Sequence, residues 1–214
     1  MLQAVHAGEK RRMSELKIAV DLDGVLAEAM IGWCELYNKR YGQSLSLEDI
    51  RAWDVWKIVK IPHDVFFRIL DDAWLEWEKI PPTEGGVGDQ VQLLHELGTV
   101  DVVTGRSSRT VPSAKQWLKA HSVPYDRFVR TDSTLAKIHL DYDVFVDDSP
   151  KLMELIASKS TALGIVYTRP WNRDVSLPSV IRRANSWTEV PPFVRSAGDI
   201  HAHMSDWIPR RGGR

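Results

Sequence analysis

Residues 18–25 read IAVDLDGV, and this stretch decides the fold. The apolar residues 18–20 are typical of a buried strand that ends at Asp21. Because side chains alternate along a strand, the carboxylates of Asp21 and Asp23 point the same way, and Gly24 then permits a sharp turn. Paired carboxylates in a tight loop suit the binding of a hard cation, or the division of nucleophile and acid/base roles between two similar groups.

Apolar strands alternate with helical patterns in the rest of the chain. The sequence predicts strands at 18–21, 100–103, 144–146 and 163–167, and helices at 87–97, 111–121 and 151–158. This alternation predicts an α/β fold, in which a Rossmann-like parallel sheet carries helices on both faces. Ligands of such sheets bind beyond the carboxyl ends of the strands. Polar residues stand at three of these ends, namely Asp21 with Asp23, Thr104, and Asp147 with Asp148.

Residues 29–84 interrupt the alternation with an inserted, mostly helical block. Helices are predicted at 30–41, 46–59 and 62–74, and the block is rich in aromatic residues. Because it follows the first strand, we expect it to lie over the site as a small cap. The core is then made of residues 15–28 and 85–184. We expect a flexible leader at 1–14 and an extended, partly loose C-terminal tail at 185–214.

Composition excludes several classes of function. The 214 residues are 43% hydrophobic and 27% charged, which is typical of a globular protein. A net charge of -1 provides no bulk attraction to nucleic acid polymers or to an anionic membrane surface. No apolar stretch is long enough for a bilayer, so a cytoplasmic location is expected. The single cysteine, Cys34, excludes an intramolecular disulfide and a cysteine-rich metal site.

Four motifs together resemble those of the haloacid dehalogenase superfamily. They are Asp21 to Val25, Thr104, Lys137 and Asp147-Asp148, and they occur in the order found in that superfamily. The resemblance covers roughly residues 17 to 170. The acidic residue at position 23 is the one that phosphatases need and dehalogenases do not. The resemblance therefore implies phosphoryl transfer.

The resemblance also implies a role for each motif. Asp21 would attack phosphorus and form an aspartyl-phosphate, and Asp23 would protonate the leaving oxygen and later deprotonate the attacking water. Mg²⁺ would be held by the carboxylates of Asp21 and Asp148 and by the backbone carbonyl of Asp23. Asp147 would act from outside the metal's own ligands, by orienting a bound water.

The resemblance assigns the phosphate group to Thr104, Gly105 and Lys137. Arg106 is a candidate substrate contact, although a structural salt bridge is an equally good interpretation. Each motif also has a simpler interpretation when taken alone. Asp147-Asp148 suits an exposed turn, and Lys137 would by default lie on the surface. An EF-hand calcium loop fits the sequence poorly, because it would need a glutamate at the position of Gly32 and another oxygen ligand at the position of Val25.

A closer resemblance is to the 5'(3')-deoxyribonucleotidase family. It rests on DLDGVLAE at 21–28, VDDSP at 146–150, and GIVY followed by PWN within 164–172. This resemblance implies a cap that stacks a nucleobase between aromatic rings. Aromatic residues at helical spacing are more often part of a core, so the sequence does not select among the candidate contacts, which are Trp53, Trp56, Phe66, Phe67, Trp74 and Trp77.

Three hypotheses remain open from the sequence. The first is a Mg²⁺-dependent phosphatase for a small phosphate ester, most readily a nucleoside monophosphate. A second is a phosphatase for another small ester, such as a sugar phosphate or a pathway intermediate. A third is a regulator that binds phosphate or a nucleotide without turnover. The sequence leaves the oligomeric state open, with a homodimer among the options.

Overall fold

The structure, a computed structural model, describes residues 16–205, and it describes side chains up to residue 197. The predicted leader at 1–14 lies outside the described residues. The strands are β1 (Leu16–Val20), β2 (Gly98–Thr104), β3 (Arg127–Arg130), β4 (Val144–Asp147), β5 (Leu163–Tyr167) and β6 (Arg182–Ala184). The helices are α1 (Ala29–Tyr41), α2 (Val55–Ile58), α3 (His63–Leu75), α4 (Val87–His95), α5 (Val111–Ala120), α6 (Pro150–Lys159) and α7 (Val190–Ser205).

The six strands form one parallel sheet in the order β3-β2-β1-β4-β5-β6. The predicted α/β class with a Rossmann-like parallel sheet is confirmed. β1 lies in the middle, paired with β2 on one side and β4 on the other. Consequently the ends of the three strands that carry the candidate residues are immediate neighbours.

Both faces of the sheet are covered, because the central strands are apolar on both sides. Ile18 and Val20 pack with α4, α5 and α7, whereas Ala19 packs with α6 on the other face. The same alternation is seen along β2 and β4. This arrangement leaves the carboxyl ends of the strands as the open edge of the core.

The inserted segment, residues 29–84, lies between β1 and β2 and contains α1, α2 and α3. The single helix expected over 46–59 is wrong, since this stretch contains only a short 3₁₀ turn at Leu47–Asp49 followed by α2. The reason is local: the Asp49 carboxylate accepts hydrogen bonds from the backbone N–H and the hydroxyl of Ser46, which closes the turn on itself.

Edge strands and the C-terminal region differ from the prediction. β3 (RFVR) and β6 (RRA) are short, partly exposed and rich in arginine, so they lack the apolar pattern of a buried strand. The expected extended tail is wrong for residues 190–205, which form α7, whereas residues 206–214 lie outside the described part of the chain. Val190 and Val194, one turn apart, are fully buried, and this contact holds the start of α7 against the core.

Asp101 is a buried charge in the middle of β2, and it has no part in the candidate site. Its Oδ2 accepts hydrogen bonds from Arg127 Nη2 at 2.6 Å and from Tyr142 Oη at 2.6 Å. Burial alone would raise the pKa of this carboxyl, but the hydrogen bonds from Arg127 and Tyr142 outweigh it and hold the pKa below its ordinary value of 3.8.

We predict that Asp101→Asn lowers the free energy of unfolding by about 1.5–3 kcal/mol near neutral pH, because hydrogen bonds to a charged group are weakened. Since the folded-state pKa of Asp101 lies below its unfolded value, its contribution is complete above pH 3.8 and is lost as the pH falls further. Urea titrations should therefore show that the difference in free energy of unfolding between wild type and variant becomes smaller as the pH falls below 3.8. The control is Asp64→Asn, which alters an exposed ion pair within a helix. A difference in free energy of unfolding between wild type and Asp101→Asn that stays the same at every pH would contradict the prediction.

Candidate active site

The carboxyl ends of β1, β2 and β4 bring the predicted motifs together. The backbone N–H of Asp21 donates to the carbonyl of Val146 at 2.9 Å, which places the end of β1 against the end of β4. Thr104 is the last residue of β2, and Asp147 is the last of β4. Side chains from positions 21, 104 and 147 of the sequence thus converge at one edge of the sheet.

Lys137 lies at the centre of this group. It comes from a 3₁₀ turn, Thr134–His139, which follows β3, and its side chain is 1% exposed. The ammonium lies 2.8 Å from Asp21 Oδ1 and 2.7 Å from Asp147 Oδ2. The default expectation of a surface lysine is therefore wrong: the side chain is buried because it links two carboxylates from adjacent strands.

The two oxygens of Asp21 have different surroundings. Oδ1 accepts the Lys137 contact and a hydrogen bond from the backbone N–H of Leu22 at 2.7 Å. Oδ2 accepts no hydrogen bond from the described part of the chain, and Asp21 lines a cavity. One oxygen is held in place, and the other is available to react.

Negative charge exceeds positive charge at this point. Burial, together with the nearby carboxylates of Asp147 and Asp23, raises the pKa of Asp21 to about 7 against the opposing effect of Lys137. Burial, together with Asp147 and Asp21, also raises the pKa of Asp148 well above its ordinary value. The reverse holds for Lys137: burial would lower its pKa, but the two carboxylates more than compensate and raise it. Three buried carboxylates therefore share one lysine.

Asp148 is held by residues that the site prediction did not include. Trp171 Nε1 donates to Asp148 Oδ2 at 3.1 Å, and Asn172 Nδ2 donates to the Asp148 backbone carbonyl at 2.8 Å. Gly24 has φ +75°, and a Cβ there would lie 2.2 Å from Asp148 Oδ2. The available signal in the sequence was the PWN segment after the last predicted strand, which brings Trp171 and Asn172 to this edge.

The acidic residues fit a hard cation. One carboxylate oxygen from each of Asp21, Asp147 and Asp148 lies within 4.8 Å of the others. Asp148 Oδ1 is buried and has no hydrogen-bond partner among the described residues, and such an orphaned atom is costly unless something binds it. Asp147 differs, because Oδ2 is taken by Lys137 and Oδ1 accepts from the backbone N–H of Ser149. This favours Asp21 and Asp148 as ligands, with Asp147 as their support.

Asp23 faces the inserted segment. Its Oδ1 accepts hydrogen bonds from Trp74 Nε1 at 2.7 Å and from Arg106 Nη1 at 2.8 Å. Arg106 comes from the loop after β2, and its Nη2 donates to Asp71 of α3 at 2.9 Å. Arg106 therefore forms a structural salt bridge between the core and the inserted segment.

A cavity of about 600 Å³ opens above the carboxylates. Its lining includes Asp21, Asp23, Thr104, Gly105, Arg106 and Asp148 from the core. On the side of the inserted segment it is lined by aromatic side chains, which we call the aromatic wall: Trp53, Trp56, His63, Phe66 and Phe67. The core adds polar residues to the same lining, namely Arg130, Asp132, Ser133, Thr134 and Lys151, together with Leu135 and Trp171.

The structure separates the six aromatic candidates into three groups. Trp53, Trp56, Phe66 and Phe67 line the cavity. Trp74 does not line it, but its indole N–H reaches Asp23. Trp77 does neither, because α3 ends at Leu75 and the chain then turns away in a 3₁₀ turn. His63 was not predicted; its ring packs edge-on against Trp56 at 4.7 Å.

Among the helices of the described part of the chain, none combines the length and the hydropathy that a bilayer crossing requires.

Comparison with known families identifies the chain. A model described as "5' nucleotidase, deoxy (Pyrimidine), cytosolic type C protein" matches residues 15–198. The chain therefore belongs to this family. The match confirms the prediction of a haloacid dehalogenase superfamily phosphatase of the 5'-nucleotidase type.

Individual relatives agree with the family match. "Putative nucleotidase BH1399" of Halalkalibacterium halodurans is 22% identical over 92% of this chain and 96% of its own length. "Putative nucleotidase YqfW" of Bacillus subtilis is 22% identical over 85% of this chain and 94% of its own. Among solved structures, a haloacid dehalogenase-like hydrolase from Streptococcus pneumoniae, SP0104, has a TM-score of 0.60 at 15% identity, covering 84% of this chain and 98% of its own. That similarity supports the fold.

We predict that Lys137→Met lowers the free energy of unfolding by about 3–5 kcal/mol, the usual cost of removing one partner from a buried ion pair. The carboxylates of Asp21 and Asp147 would lose their shared counter-charge, and guanidinium titration measures the loss. The control is Lys79→Met, which removes an exposed pair with Glu76 and should change the value by less than about 1 kcal/mol. Equal effects of the two substitutions would contradict the central place given to Lys137.

Proposed function

We propose that this protein is a Mg²⁺-dependent phosphomonoesterase that acts on nucleoside monophosphates through an aspartyl-phosphate on Asp21. The observation that carries the proposal is the asymmetric environment of Asp21 at the base of the cavity. Lys137 and the Leu22 N–H hold Oδ1, and Oδ2 is left to attack. A buried carboxylate fixed in this way is oriented as a nucleophile should be.

The reaction then takes two steps. In the first, Asp21 Oδ2 forms a bond to phosphorus while the ester P–O bond breaks, and Asp23 gives its proton to the leaving oxygen. In the second, Asp23 takes a proton from water, which attacks phosphorus, and inorganic phosphate leaves as the Asp21 carboxylate is restored. Asp23 suits this role because its side chain lies at the cavity, beside Asp21, with one oxygen held by Trp74 and Arg106.

The phosphoryl group would be bound by Thr104, Gly105 and Lys137. Thr104 and Gly105 line the cavity, and Lys137 supplies positive charge next to Asp21. Charge builds up on the phosphoryl oxygens as the bonds change, so donors fixed in advance lower the barrier. The same lysine thus balances the resting carboxylates and the reacting phosphate.

We propose that Asp21, Asp148 and the backbone carbonyl of Asp23 hold Mg²⁺, and that Asp147 supports them. Mg²⁺ favours carboxylate and carbonyl oxygens, and when bound it neutralises charge on the phosphate. The support for this is the orphaned Asp148 Oδ1 and the excess of buried negative charge.

The proposed substrate class is supported by the two kinds of residue that line the cavity, aromatic and polar. We propose that residues 29–84 act as the cap, with the core at 15–28 and 85–184. The aromatic wall offers ring faces for a planar base, and the polar core residues of the lining offer partners for sugar hydroxyls. A sugar phosphate would bind better to a cap with polar side chains, because its hydroxyl groups need hydrogen-bond partners. The cytoplasmic location is part of the same proposal, supported by the description of the matching family.

We expect the purified protein to release phosphate from nucleoside 5'-monophosphates in a panel that also contains sugar phosphates, assayed with and without Mg²⁺. Asp21→Asn should lower turnover by at least about 10³-fold, because the amide is a poor nucleophile. The matched control is Asp89→Asn in α4, which should retain full activity. Sustained turnover by Asp21→Asn would overturn the nucleophile assignment, and activity restricted to sugar phosphates would overturn the substrate class.

We expect Mg²⁺ alone to raise the thermal unfolding midpoint, since a ligand at 100 times its Kd stabilises the folded state by about 2.7 kcal/mol. Asp148→Asn should remove this shift. Without Mg²⁺ the variant should be no less stable than wild type, because it relieves repulsion among buried carboxylates. The control, Asp141→Asn on the surface, should keep the shift. A shift that survives in Asp148→Asn would place the ion elsewhere.

A further inference from the structure

Arg106 follows the predicted phosphate-binding residues Thr104 and Gly105, and the sequence alone made it a candidate substrate contact. The side chain is only 3% exposed. Each of its three guanidinium nitrogens already donates to a protein acceptor: Nε to Thr110 Oγ1 at 3.0 Å, Nη1 to Asp23 Oδ1 at 2.8 Å, and Nη2 to Asp71 Oδ1 at 2.9 Å. All three nitrogens of the guanidinium are thus engaged in hydrogen bonds within the protein.

Trp74 strengthens this arrangement. Its indole N–H donates to the same oxygen of Asp23, Oδ1, at 2.7 Å, and the Arg106 guanidinium lies over its ring at 4.9 Å. Asp23 Oδ2 accepts no hydrogen bond from any residue that the structure describes. Two donors on one carboxylate oxygen fix the plane of the group and leave the second oxygen for the proton that the reaction transfers.

Asp71 holds Arg106 from the inserted segment. Its Oδ1 accepts from Arg106, and its Oδ2 accepts from the hydroxyl of Ser107 at 2.7 Å. Asp71 and Trp74 both belong to α3, on consecutive turns of the same face. The orientation of Asp23 therefore depends on α3 being in place over the core loop.

We propose that Arg106 is a positioning residue that orients Asp23 for proton transfer to the leaving oxygen, and that Asp71 anchors it from the inserted segment. The proposal rests on the function given above, in which Asp23 protonates the leaving group as the P–O bond breaks. Arg106 itself touches neither the phosphate nor the leaving group. Orientation of the acid then requires α3 of the inserted segment to be packed against the loop after β2.

The test uses two leaving groups. A nucleoside 5'-monophosphate expels an alkoxide and needs a proton, whereas p-nitrophenyl phosphate expels a stable phenolate and needs none. The measured quantity is kcat/KM, which covers the steps up to cleavage of the ester bond when that step is irreversible. A group that only orients the acid affects the first substrate and spares the second.

We expect Arg106→Met to lower kcat/KM on the nucleotide by about 10–100-fold, part of the 10²–10⁴-fold that general acid catalysis supplies, and on the aryl ester by less than about 3-fold. Arg106→Lys, which can keep one contact, should show the same asymmetry with a smaller loss. Asp71→Asn should do likewise, although it lies outside the reacting centre. Asp23→Asn removes the acid itself, so its loss of kcat/KM on the nucleotide gives the upper limit for the positioning variants.

Arg109→Met is the matched control. Arg109 lies on the same loop and contacts Asp72, the neighbour of Asp71, but it is 54% exposed. We expect no change on either substrate. In addition, Arg106→Met should not lower kcat/KM on the nucleotide any further when Asp23 is already replaced by Asn, because the acid that Arg106 orients is then absent.

An equal loss on both substrates would overturn the proposal, since it would mean that Arg106 binds the phosphate or only stabilises the fold. Full additivity with Asp23→Asn, or no loss in any Arg106 or Asp71 variant, would overturn it as well. Failure of the proposed function is a separate result, recognised by a wild type that hydrolyses neither ester or by an active Asp21→Asn variant.

Discussion

The ammonium of Lys137, held between Asp21 and Asp147, is the interaction on which the rest of the site depends. Parallel pairing of β1 with β4 brings the two aspartates to adjacent strand ends, where they repel each other and lose most of their hydration. One buried lysine offsets this cost only in part, because the pKa of Asp148 remains well above its ordinary value. The site therefore folds with a deficit of positive charge, which the proposed divalent cation would offset.

A second regularity concerns the individual carboxylate oxygens. In Asp21, Asp23 and Asp148 the protein holds one oxygen through a hydrogen bond or ion pair, and leaves the other without a partner among residues 16–197. In Asp147 both oxygens are used, one by Lys137 and one by the Ser149 N–H. A group that reacts or binds a ligand needs a free lone pair, so this pattern supports the roles proposed for Asp21, Asp23 and Asp148 and the supporting role proposed for Asp147. The pattern is not confined to the site, because Asp101 Oδ1 is likewise buried without a partner among the described residues.

Much of this arrangement was accessible from sequence because it follows from local rules. The largely apolar runs at 18–20, 100–103 and 144–146 predict the central strands, and the polar residues that follow these runs mark the strand ends. The edge strands β3 and β6 were missed, since arginine-rich segments that are exposed on one side do not show a buried pattern. The contacts of Arg106 with Asp23 and Asp71 were also out of reach, because pairs separated by 83 and 35 positions leave no periodic signal.

The division between core and inserted segment has a consequence for how such an enzyme changes its substrate. The aromatic wall comes entirely from residues 53–67, while Asp21 and Asp148 lie at strand ends of the core and Lys137 lies in the 3₁₀ turn after β3. Substitutions in the wall can therefore alter what is bound without disturbing the charges that perform the reaction. α3 is the exception, because Asp71 and Trp74 reach across to Arg106 and Asp23. Variation in substrate preference should consequently concentrate on the part of the inserted segment before residue 70, and the last turns of α3 should be constrained by the chemistry.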